Sequence, residues 1–314
     1  MLARTANSLF WMFRYLERVD NTARMIDAGL RMALTRDLVT SEEEWRSVIA
    51  AAGQRADYER RHASYTGVQA WNFMLRDRDN PASALAMFGR VRDNARQARN
   101  VVTSEIWQAV NDSWMQIRDM LAKPVGEQRV GDVLGVIRQA GMLAHGAIIG
   151  TMPRDEAFHF ARAGTFIERA DNVARLLDIK YYLLLPSLSY VGSSLDTGQW
   201  DSVLRAVSGD RAYRWLNTAQ IAARGIVQFL VFDTRFPRSL AYCHTALRDH
   251  IDTIARIHGH EGRSHALMRE TAQMLEHTRL DEVFERGLHD VLVGVLSTNT
   301  RIGLAISDDY RFLA

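Results

Sequence analysis

Two closely related octapeptides hold the charged residues of this chain that are best placed for chemistry. ERVDNTAR begins at Glu17, and ERADNVAR begins at Glu168 in the second half of the chain. On a helix, Glu17, Asp20 and Arg24 share one face, because their spacing is i, i+3 and i+7. Carboxylates and guanidinium groups arranged in this way can form ion pairs, hold a carboxylate or phosphate group, or supply a general base.

The candidate catalytic residues are Glu17 and Glu168, either of which can accept a proton or orient an incoming amine. The candidate ligand-binding residues follow them in the two octapeptides and are Arg18, Asp20, Asn21, Arg24, Arg169, Asp171, Asn172 and Arg175. An apolar stripe lies beside the charged face, so we expect the charges at the edge of a buried interface. Since burying charges is costly unless each is paired, an ion-pair network that fixes helix packing is the alternative interpretation.

Histidines occur in three patterns that have to be weighed as metal sites. Glu59–His62 and Glu156–His159 have the ExxH spacing of di-iron helical bundles. Such a site also needs glutamates from other helices, whereas Glu168 follows His159 on the same predicted helix. The run HGHEGRSH, residues 258–265, contains two glycines and is typical of a solvated loop between helices. We therefore predict no metal site.

The other residues that could act in catalysis, a histidine and a cysteine, are interpreted as parts of the core. His145 stands among small and apolar residues, and we interpret it as a satisfied core group. The single cysteine, Cys243, excludes an intrachain disulfide and a cysteine zinc site, and is interpreted as a small buried apolar residue. The chain contains no GxxxxGKS/T, GxGxxG, GxSxG or HExxH motif, so we expect no nucleotide site of its own.

Composition narrows the classes of partner. The 314 residues are 47% apolar, which is enough for a sizeable core. The chain has 39 basic and 37 acidic residues and a net charge of +2 without a basic stripe, so no nucleic-acid partner is indicated. The apolar run Leu9–Phe13 is too short for a signal sequence, and no stretch approaches the ~20 apolar residues that span a bilayer. We expect a soluble cytoplasmic protein without a membrane partner.

The elements that must position these residues are predicted to be helices throughout. Apolar residues recur every three to four positions, and period-2 alternation is absent, so the fold class is all-α. Three blocks occur twice in the same order: ERVDNTARMID with ERADNVARLLD, WRSVIAA with WDSVLRA, and PASALAMFGRVRD with PRSLAYCHTALRD. Collinear matches indicate a tandem duplication. We predict a helical bundle of two repeats, 1–150 and 151–314, that share one core around a pseudo-twofold axis.

The helix boundaries follow from the same pattern. Besides the helix of the first octapeptide, predicted helices cover approximately residues 42–52, 64–75, 81–123, 130–149, 155–185, 200–207, 213–232, 237–258 and 261–306. Connecting loops are predicted at 123–129, 150–154 and 186–198, where Gly, Pro or Ser accumulate. Only 5 prolines occur in the chain, which favours long helices.

The chain resembles the bacterial alpha-E family, a helical family named for its ER motif and usually found as a tandem duplication. The resemblance covers essentially the whole chain and is strongest at residues 1–30, which open with MLARTANSLFWMFRYLERVDNTAR, and at 80–111 and 158–182. The ER positions of the family correspond to Glu17–Arg18 and Glu168–Arg169. Phe13 stands where a glycine is common, whereas the second copy keeps Gly164, so the two helices are expected to approach their neighbours differently.

The resemblance implies a role in a peptide synthesis or modification system. Members of the family typically accompany a circularly permuted ATP-grasp protein, a transglutaminase-like protease and an NTN-hydrolase peptidase. ATP-grasp enzymes form amide bonds through acyl phosphates, so ATP and Mg²⁺ would be used by the partner, and no cofactor is expected on this chain. The implied function is an accessory or acceptor-handling subunit of an ATP-dependent amide ligase system, which is not catalytic alone.

Two other functions stay open at this point. A stand-alone helical enzyme would use the ER carboxylates as its acid and base, although neither a nucleophile nor a metal site accompanies them. A purely structural adaptor would complete its ion pairs within the chain. It would bind partners through leftover apolar surface around Trp11, Trp107 or Trp114.

Overall fold

The structure is a computed structural model that describes residues 1–33, 38–182, 193–217 and 221–312. All regular secondary structure in these residues is helical, which confirms the all-α prediction. The helices are α1 (Ala3–Ala33), α2 (Leu38–Ala51), α3 (Arg55–Glu59), α4 (Gly67–Arg76), α5 (Ala84–Gln97), α6 (Ser104–Met120), α7 (Glu127–Thr151), α8 (Glu156–Tyr182), α9 (Ser194–Ala206), α10 (Asp210–Leu216), α11 (Ala223–Val227), α12 (Leu240–His258), α13 (Arg263–His277), α14 (Leu280–Arg286) and α15 (Leu288–Asp309). A π-helical turn, Gln228–Phe232, continues α11.

Helices α1 and α8 lie at the centre of the bundle and pack against each other. Helix α5 covers α1 and carries α6, while α12 covers α8 and carries α13. Two further contacts cross between the halves, with α9 on α1 and α2 on α8. The buried apolar residues of both halves form one continuous core. The fold therefore places the two octapeptides side by side, whereas the tandem duplication, its twofold axis and the division at residue 150 stay predictions.

A glycine sets the distance between the two central helices. A Cβ atom at Gly164 of α8 would overlap the backbone carbonyl of Phe10 on α1. Phe13, at the corresponding position of α1, is fully buried and lies against the ring of His145, with 5.7 Å between ring centroids. Only one of the two positions is thus a point of backbone contact, as the sequence difference predicted.

The helices that cover the centre begin in the same way. Ser83 caps α5 by accepting a hydrogen bond from the backbone N–H of Ala86, and Ser239 caps α12 by accepting one from Tyr242. Both serines follow a proline by two residues in the repeated block. A serine cap satisfies one of the free N–H groups of the first turn and fixes where the helix begins.

Several predicted helices are divided in the structure. The predicted helix 81–123 is two helices, α5 and α6, because Thr103 caps a new start. The predicted helix 261–306 is three, α13 to α15, and Gly287 between the last two has a φ of 90°, which favours glycine. The short helix α3 was not predicted, and α10 separates from α11 within 213–232. Of the predicted loop 186–198, residues 186–192 lie outside the described residues, and α9 begins at Ser194.

Helix α7 is, within the described ranges, the one helix long and apolar enough to cross a membrane by length and composition. It packs against α1 and α6, and 39% of its apolar stretch is buried inside the protein. The same test is passed by buried helices of soluble proteins, so this finding is weak evidence for a membrane span.

Candidate functional site

The ER pairs of the two octapeptides bind each other across the α1–α8 interface. Arg18 binds both carboxylate oxygens of Glu168, at 2.6 Å from Nε and 2.7 Å from Nη2. Arg169 in turn binds Oε1 of Glu17 through Nε and Nη2. Each arginine therefore pairs with the glutamate of the other helix and not with its own neighbour. This exchange is the arrangement that two equivalent helices related by a twofold axis would have.

The arginines that end the octapeptides are exchanged in the same way. Arg24 donates to the backbone carbonyl of Ala206 at the end of α9, at 2.9 Å. Arg175 donates to the carbonyl of Ala51 at the end of α2, at 3.5 Å. Arg24 also binds Asp20 at 2.7 Å and Ser208 at 2.7 Å. Both arginines thus cap the C-terminal end of a helix from the other half, where the carbonyl groups attract a cation.

Glu17 is fully buried and has four groups around it. Besides Arg169, the Nε2 atom of His145 lies 3.0 Å from Oε1, and Nη1 of Arg238 lies 3.3 Å from Oε2. Burial by itself raises the pKa of Glu17, but the charges of Arg169 and Arg238 more than offset it, and the pKa lies well below its usual range. Asn172 donates to the backbone carbonyl of Glu17 at 3.2 Å. The carboxylate stays ionised at neutral pH.

Glu168 has a similar environment built from α1 alone. Arg14 joins Arg18 on this carboxylate, with Nε 3.0 Å from Oε2. Burial raises the pKa of Glu168, but the charges of Arg18 and Arg14 reverse the effect, so the net pKa is lowered. The neighbouring Asp171 shows the opposite result. Its burial and the charge of Glu168 raise its pKa to about 6, and its best contact is a 2.8 Å hydrogen bond donated by Asn299 of α15.

The two octapeptide asparagines differ in role. Asn172 binds the backbone of α1, as described above, whereas the amide of Asn21 donates to the sulfur of Met25 at 3.3 Å. The Oδ1 atom of Asn21 is buried without a hydrogen-bond partner in the described part of the chain. The structure thus brings the predicted residues together in one region.

Four residues of this region were not predicted to belong to it. They are Arg14, Arg162, Arg238 and His145, of which His145 was interpreted as a core group. Arg14 stands four residues before Arg18, and Arg162 stands seven before Arg169, so both spacings place them on the face of the ER arginine. Arg238 lies in the loop before α12 and also binds Asp20 at 3.0 Å. No pattern in the sequence near either residue predicts this contact.

Only one of the two ring nitrogens of His145 has a hydrogen-bond partner in the described residues. Its Nε2 faces the ionised Glu17 and must carry the proton to donate to it. Its Nδ1 is buried and has no hydrogen-bond partner in the described residues. Burial lowers the pKa of His145, more strongly than Glu17 raises it, so the ring is neutral at pH 7. The interpretation as a satisfied core group is thus correct for one nitrogen alone.

Cations exceed carboxylates at the Glu17 end of the network. The arginines Arg24, Arg162, Arg169 and Arg238 lie close enough to influence one another or Glu17, and the carboxylates among them are Glu17 and Asp20. Arg162 forms no ion pair in the described part of the chain and lies 4.6 Å from the ring centroid of Phe166. Burial and the charge of Arg169 lower the pKa of Arg162 to about 10. An anion placed there would relieve both effects.

The other candidate sites stay unassigned. No group of three or more His, Cys, Asp or Glu side chains with metal-binding geometry occurs in the residues that the structure describes. Glu59 binds Arg55 and Tyr65, and His159 binds His250 at 2.8 Å between the Nδ1 atoms. Cys243 is buried, and burial raises the pKa of its thiol to about 12.

Comparison with known proteins gives one family. The family described as "Alpha-E: A predicted alpha-helical domain with a conserved ER motif" matches residues 1–311. Similar proteins include an uncharacterized protein of Mycobacterium bovis and uncharacterized proteins of two strains of Mycobacterium tuberculosis, each 23% identical over 315 residues. The match covers 94% of this chain and 35% of each relative, so the chain spans about a third of their length. No solved structure matches the chain significantly.

The match covers both halves of the chain, including the two positions that were assigned to the ER motif from the sequence. At these positions, Glu17–Arg18 and Glu168–Arg169, α1 and α8 exchange ion pairs. The chain belongs to the Alpha-E family.

Proposed function

We propose that this Alpha-E chain is an accessory subunit of an ATP-dependent amide ligase system, and that its ER network holds an anionic group of the molecule being modified. The observation that carries the proposal is the surplus of arginines at Glu17, with Arg162 unpaired in the described residues. Arginine binds carboxylates and phosphates through parallel hydrogen bonds, which makes those groups the expected ligands.

Solvent reaches this end of the network. The side chains of Arg169, Arg238 and His145 are 12%, 16% and 20% exposed, whereas Glu17 is fully buried. The carboxylate therefore holds Arg169 and Arg238 in place, while Arg162, which has no ion pair in the described residues, is the arginine that an anion can bind. An arginine held by a buried carboxylate is preorganised for a ligand, because it loses little freedom on binding.

The glutamates orient the arginines in this proposal and do not transfer protons. A carboxylate with a lowered pKa is a weak base at neutral pH, and catalytic bases have pKa values closer to the working pH. Glu17 and Glu168 are both buried and bound by arginines. The stand-alone enzyme that uses them as acid and base is accordingly the less favoured function.

The ligase itself is expected on another polypeptide or domain. The family resemblance implies a circularly permuted ATP-grasp partner, which would use ATP and Mg²⁺ and form an acyl phosphate. The relatives are about three times as long as the part matched by this chain, so in them the Alpha-E region is joined to further sequence. A cytoplasmic location and contact with a transglutaminase-like protease belong to the same proposal.

The test compares two arginine variants in the complete system. The chain is co-purified with the ATP-grasp protein encoded beside it, and ATP consumption with amide formation is measured. Arg162→Gln should reduce output about tenfold or more, because it removes the unpaired cation. Arg118→Gln, on the exposed surface of α6, is the control and should change nothing. Circular dichroism verifies that both variants are folded, and equal output from Arg162→Gln and the wild type would refute the role of this site.

The anion site can be tested without the partner. Phosphate should raise the melting temperature of the wild type above that in chloride at equal ionic strength, because a ligand of the folded state stabilises it. The rise should be absent in Arg162→Gln and present in Arg118→Gln. An equal rise in all three proteins would indicate a general salt effect.

A structural adaptor is the second candidate, and the complete pairing of Glu168 favours it. Both oxygens of Glu168 are bound by arginines of α1, as a packing device requires. The apolar surface does not lie where it was expected. Trp11, Trp107 and Trp114 are half-buried against the core, whereas Trp215 is 89% exposed. For an adaptor, Arg162→Gln should leave both binding of the ATP-grasp partner and amide formation unchanged, whereas the ligand-binding proposal expects amide formation to fall.

A further inference from the structure

A cavity of about 530 Å³ lies in the second half of the chain, away from the ER network. The π-helical turn, α12, the end of α13 and the start of α14 form its walls, and Phe232 and Leu275 supply apolar lining. Pockets that hold small molecules have volumes of roughly 300–1,000 Å³. Single π-helical turns within α-helices occur frequently at functional sites.

His244 lines this cavity and has no hydrogen-bond partner. The residue is 5% exposed, and neither ring nitrogen has a donor or acceptor within reach in the described residues. Burial lowers its pKa to about 4, so the ring is neutral and offers one N–H donor and one acceptor. Leaving buried polar atoms unpaired is costly, and each such group in a folded protein calls for an explanation.

The repeated block shows that this position does not require histidine for packing. PASALAMFGRVRD aligns with PRSLAYCHTALRD, and the alignment places Phe88 opposite His244. Phe88 is completely buried and serves α5 as an apolar core residue. The half of the chain that has the cavity thus replaces a phenylalanine with a hydrogen-bonding ring of similar shape.

The rim of the cavity carries an acidic and a basic side chain, Glu276 and Arg279, that have no ion pair in the described residues. Glu276 lies in the last turn of α13, Arg279 lies directly before α14, and both residues are exposed. Neither forms an ion pair in the part of the chain that the structure describes, whereas the third charged rim residue, Asp281, is bound by Arg224. A carboxylate and a guanidinium on the same rim match a molecule that carries an ammonium and a carboxylate on one carbon atom.

We propose that this cavity binds a free α-amino acid with a hydrogen-bonding side chain. Its ammonium group would face Glu276, its carboxylate Arg279, and its side-chain amide or hydroxyl the imidazole of His244. An amide or hydroxyl group can pair with one of the two ring nitrogens, as a donor or as an acceptor, whereas an aliphatic side chain can pair with neither. This site is separate from the anion site at Arg162 and does not depend on the function proposed for it.

The test uses defined amino acids and isothermal titration calorimetry. L-Glutamine, L-asparagine and L-serine are the probes, L-leucine lacks the side-chain hydrogen bond, and N-acetyl-L-glutamine lacks the ammonium. At least one polar probe should bind the wild type saturably and about tenfold or more tightly than leucine, the ratio expected for one buried hydrogen bond. Failure of all three polar probes to bind at millimolar concentration would overturn the proposal.

Three variants assign the binding to these residues. His244→Phe restores the residue type found at Phe88, and it should weaken binding of the polar probe to the level of leucine. Glu276→Gln should weaken glutamine but not N-acetylglutamine, while Arg279→Gln should weaken both. The two rim residues are exposed, so their variants report on binding even if His244→Phe alters stability. Unchanged affinity in Glu276→Gln and Arg279→Gln would also overturn the proposal.

Discussion

Glu168 and Asp171 lie one helical turn apart on α8, yet their environments shift their pKa values in opposite directions. Two arginines bind Glu168, at distances near 3 Å, and keep it ionised. Asp171 has its nearest arginine, Arg14, at 3.9 Å and is buried beside the charge of Glu168, which raises its pKa to about 6. A second ionised carboxylate at this point is therefore a cost to the folded state above pH 6.

Removing that charge should stabilise the protein at alkaline pH. Asp171 has a higher pKa in the folded than in the unfolded chain, where it is about 3.9. The folded state therefore binds more protons between pH 4 and 6, and stability falls as the pH rises through this window. Asp171→Asn should be more stable than the wild type by roughly 1–3 kcal/mol at pH 8, with the difference vanishing near pH 4.

Urea unfolding at pH 4, 5, 6 and 8 measures this difference. Asp119→Asn is the control, since its carboxylate is 67% exposed and its stability should follow the wild type at every pH. If the free energies of unfolding of Asp171→Asn and the wild type change in parallel with pH, Asp171 titrates normally and the prediction is wrong.

Sequence predicts the residues of the network better than their partners. The i, i+3, i+7 pattern and its adjoining apolar stripe correctly placed Glu17 and Glu168 in a buried interface. It did not predict that each ER arginine binds the other helix, because helical periodicity describes one helix and carries no information on its neighbour. Arg238 was missed for the same reason, since it reaches Glu17 from far along the chain.

At the scale of the element, the contact between α1 and α8 depends on one residue without a side chain. Gly164 allows the backbone of Phe10 to lie against α8, and the ER pairs form a few residues further along the same interface. Close approach of the backbones gives each arginine a short reach to the opposite glutamate. The glycine therefore supports the charged site from a distance.

Replacing this glycine should weaken the interface. The added Cβ of Gly164→Ala would overlap the Phe10 carbonyl, so α1 must move away, and we expect a loss of roughly 1–3 kcal/mol or more. Gly146→Ala on the exposed face of α7 is the matched control, because its Cβ meets no atom within 4 Å. That change should stabilise by about 0.5–1 kcal/mol through helix propensity. Thermal unfolding of both variants measures whether each change lowers or raises stability. If Gly164→Ala left the stability unchanged, the interface would have adapted to the added Cβ atom.

Element boundaries were predicted where the sequence carries a strong break, and were displaced or missed where the signal is a single capping residue. The KPVG stretch separates α6 from α7 as predicted, whereas the caps Ser83 and Ser239 begin α5 and α12 shortly after the predicted starts at 81 and 237. The break between α5 and α6 has no proline or glycine, and apolar periodicity continues across it, so the sequence predicted one long helix. The signal at that break is Thr103, whose hydroxyl caps α6 by accepting a hydrogen bond from the backbone N–H of Ile106, and the prediction gave this single residue less weight than the apolar periodicity.

At the scale of the whole molecule, the two halves depend on each other for charge balance. Glu168 is bound by Arg14 and Arg18, which both belong to residues 1–150. Glu17 is bound by Arg169 and Arg238, which both belong to residues 151–314. The repeats predicted from sequence are thus joined by charged contacts as well as by one apolar core.

Separation of the halves should consequently prevent folding. The fragment 1–150 would lose Arg169 and Arg238 as partners of Glu17, and 151–314 would lose Arg14 and Arg18 as partners of Glu168. Each fragment also exposes the apolar face of its central helix.

We expect low helicity and no cooperative melting for either fragment, and recovery of both when the fragments are refolded together. A fragment that melts cooperatively near the temperature of the full chain would show instead that each repeat is an autonomous domain and that the ER exchange only docks two finished units.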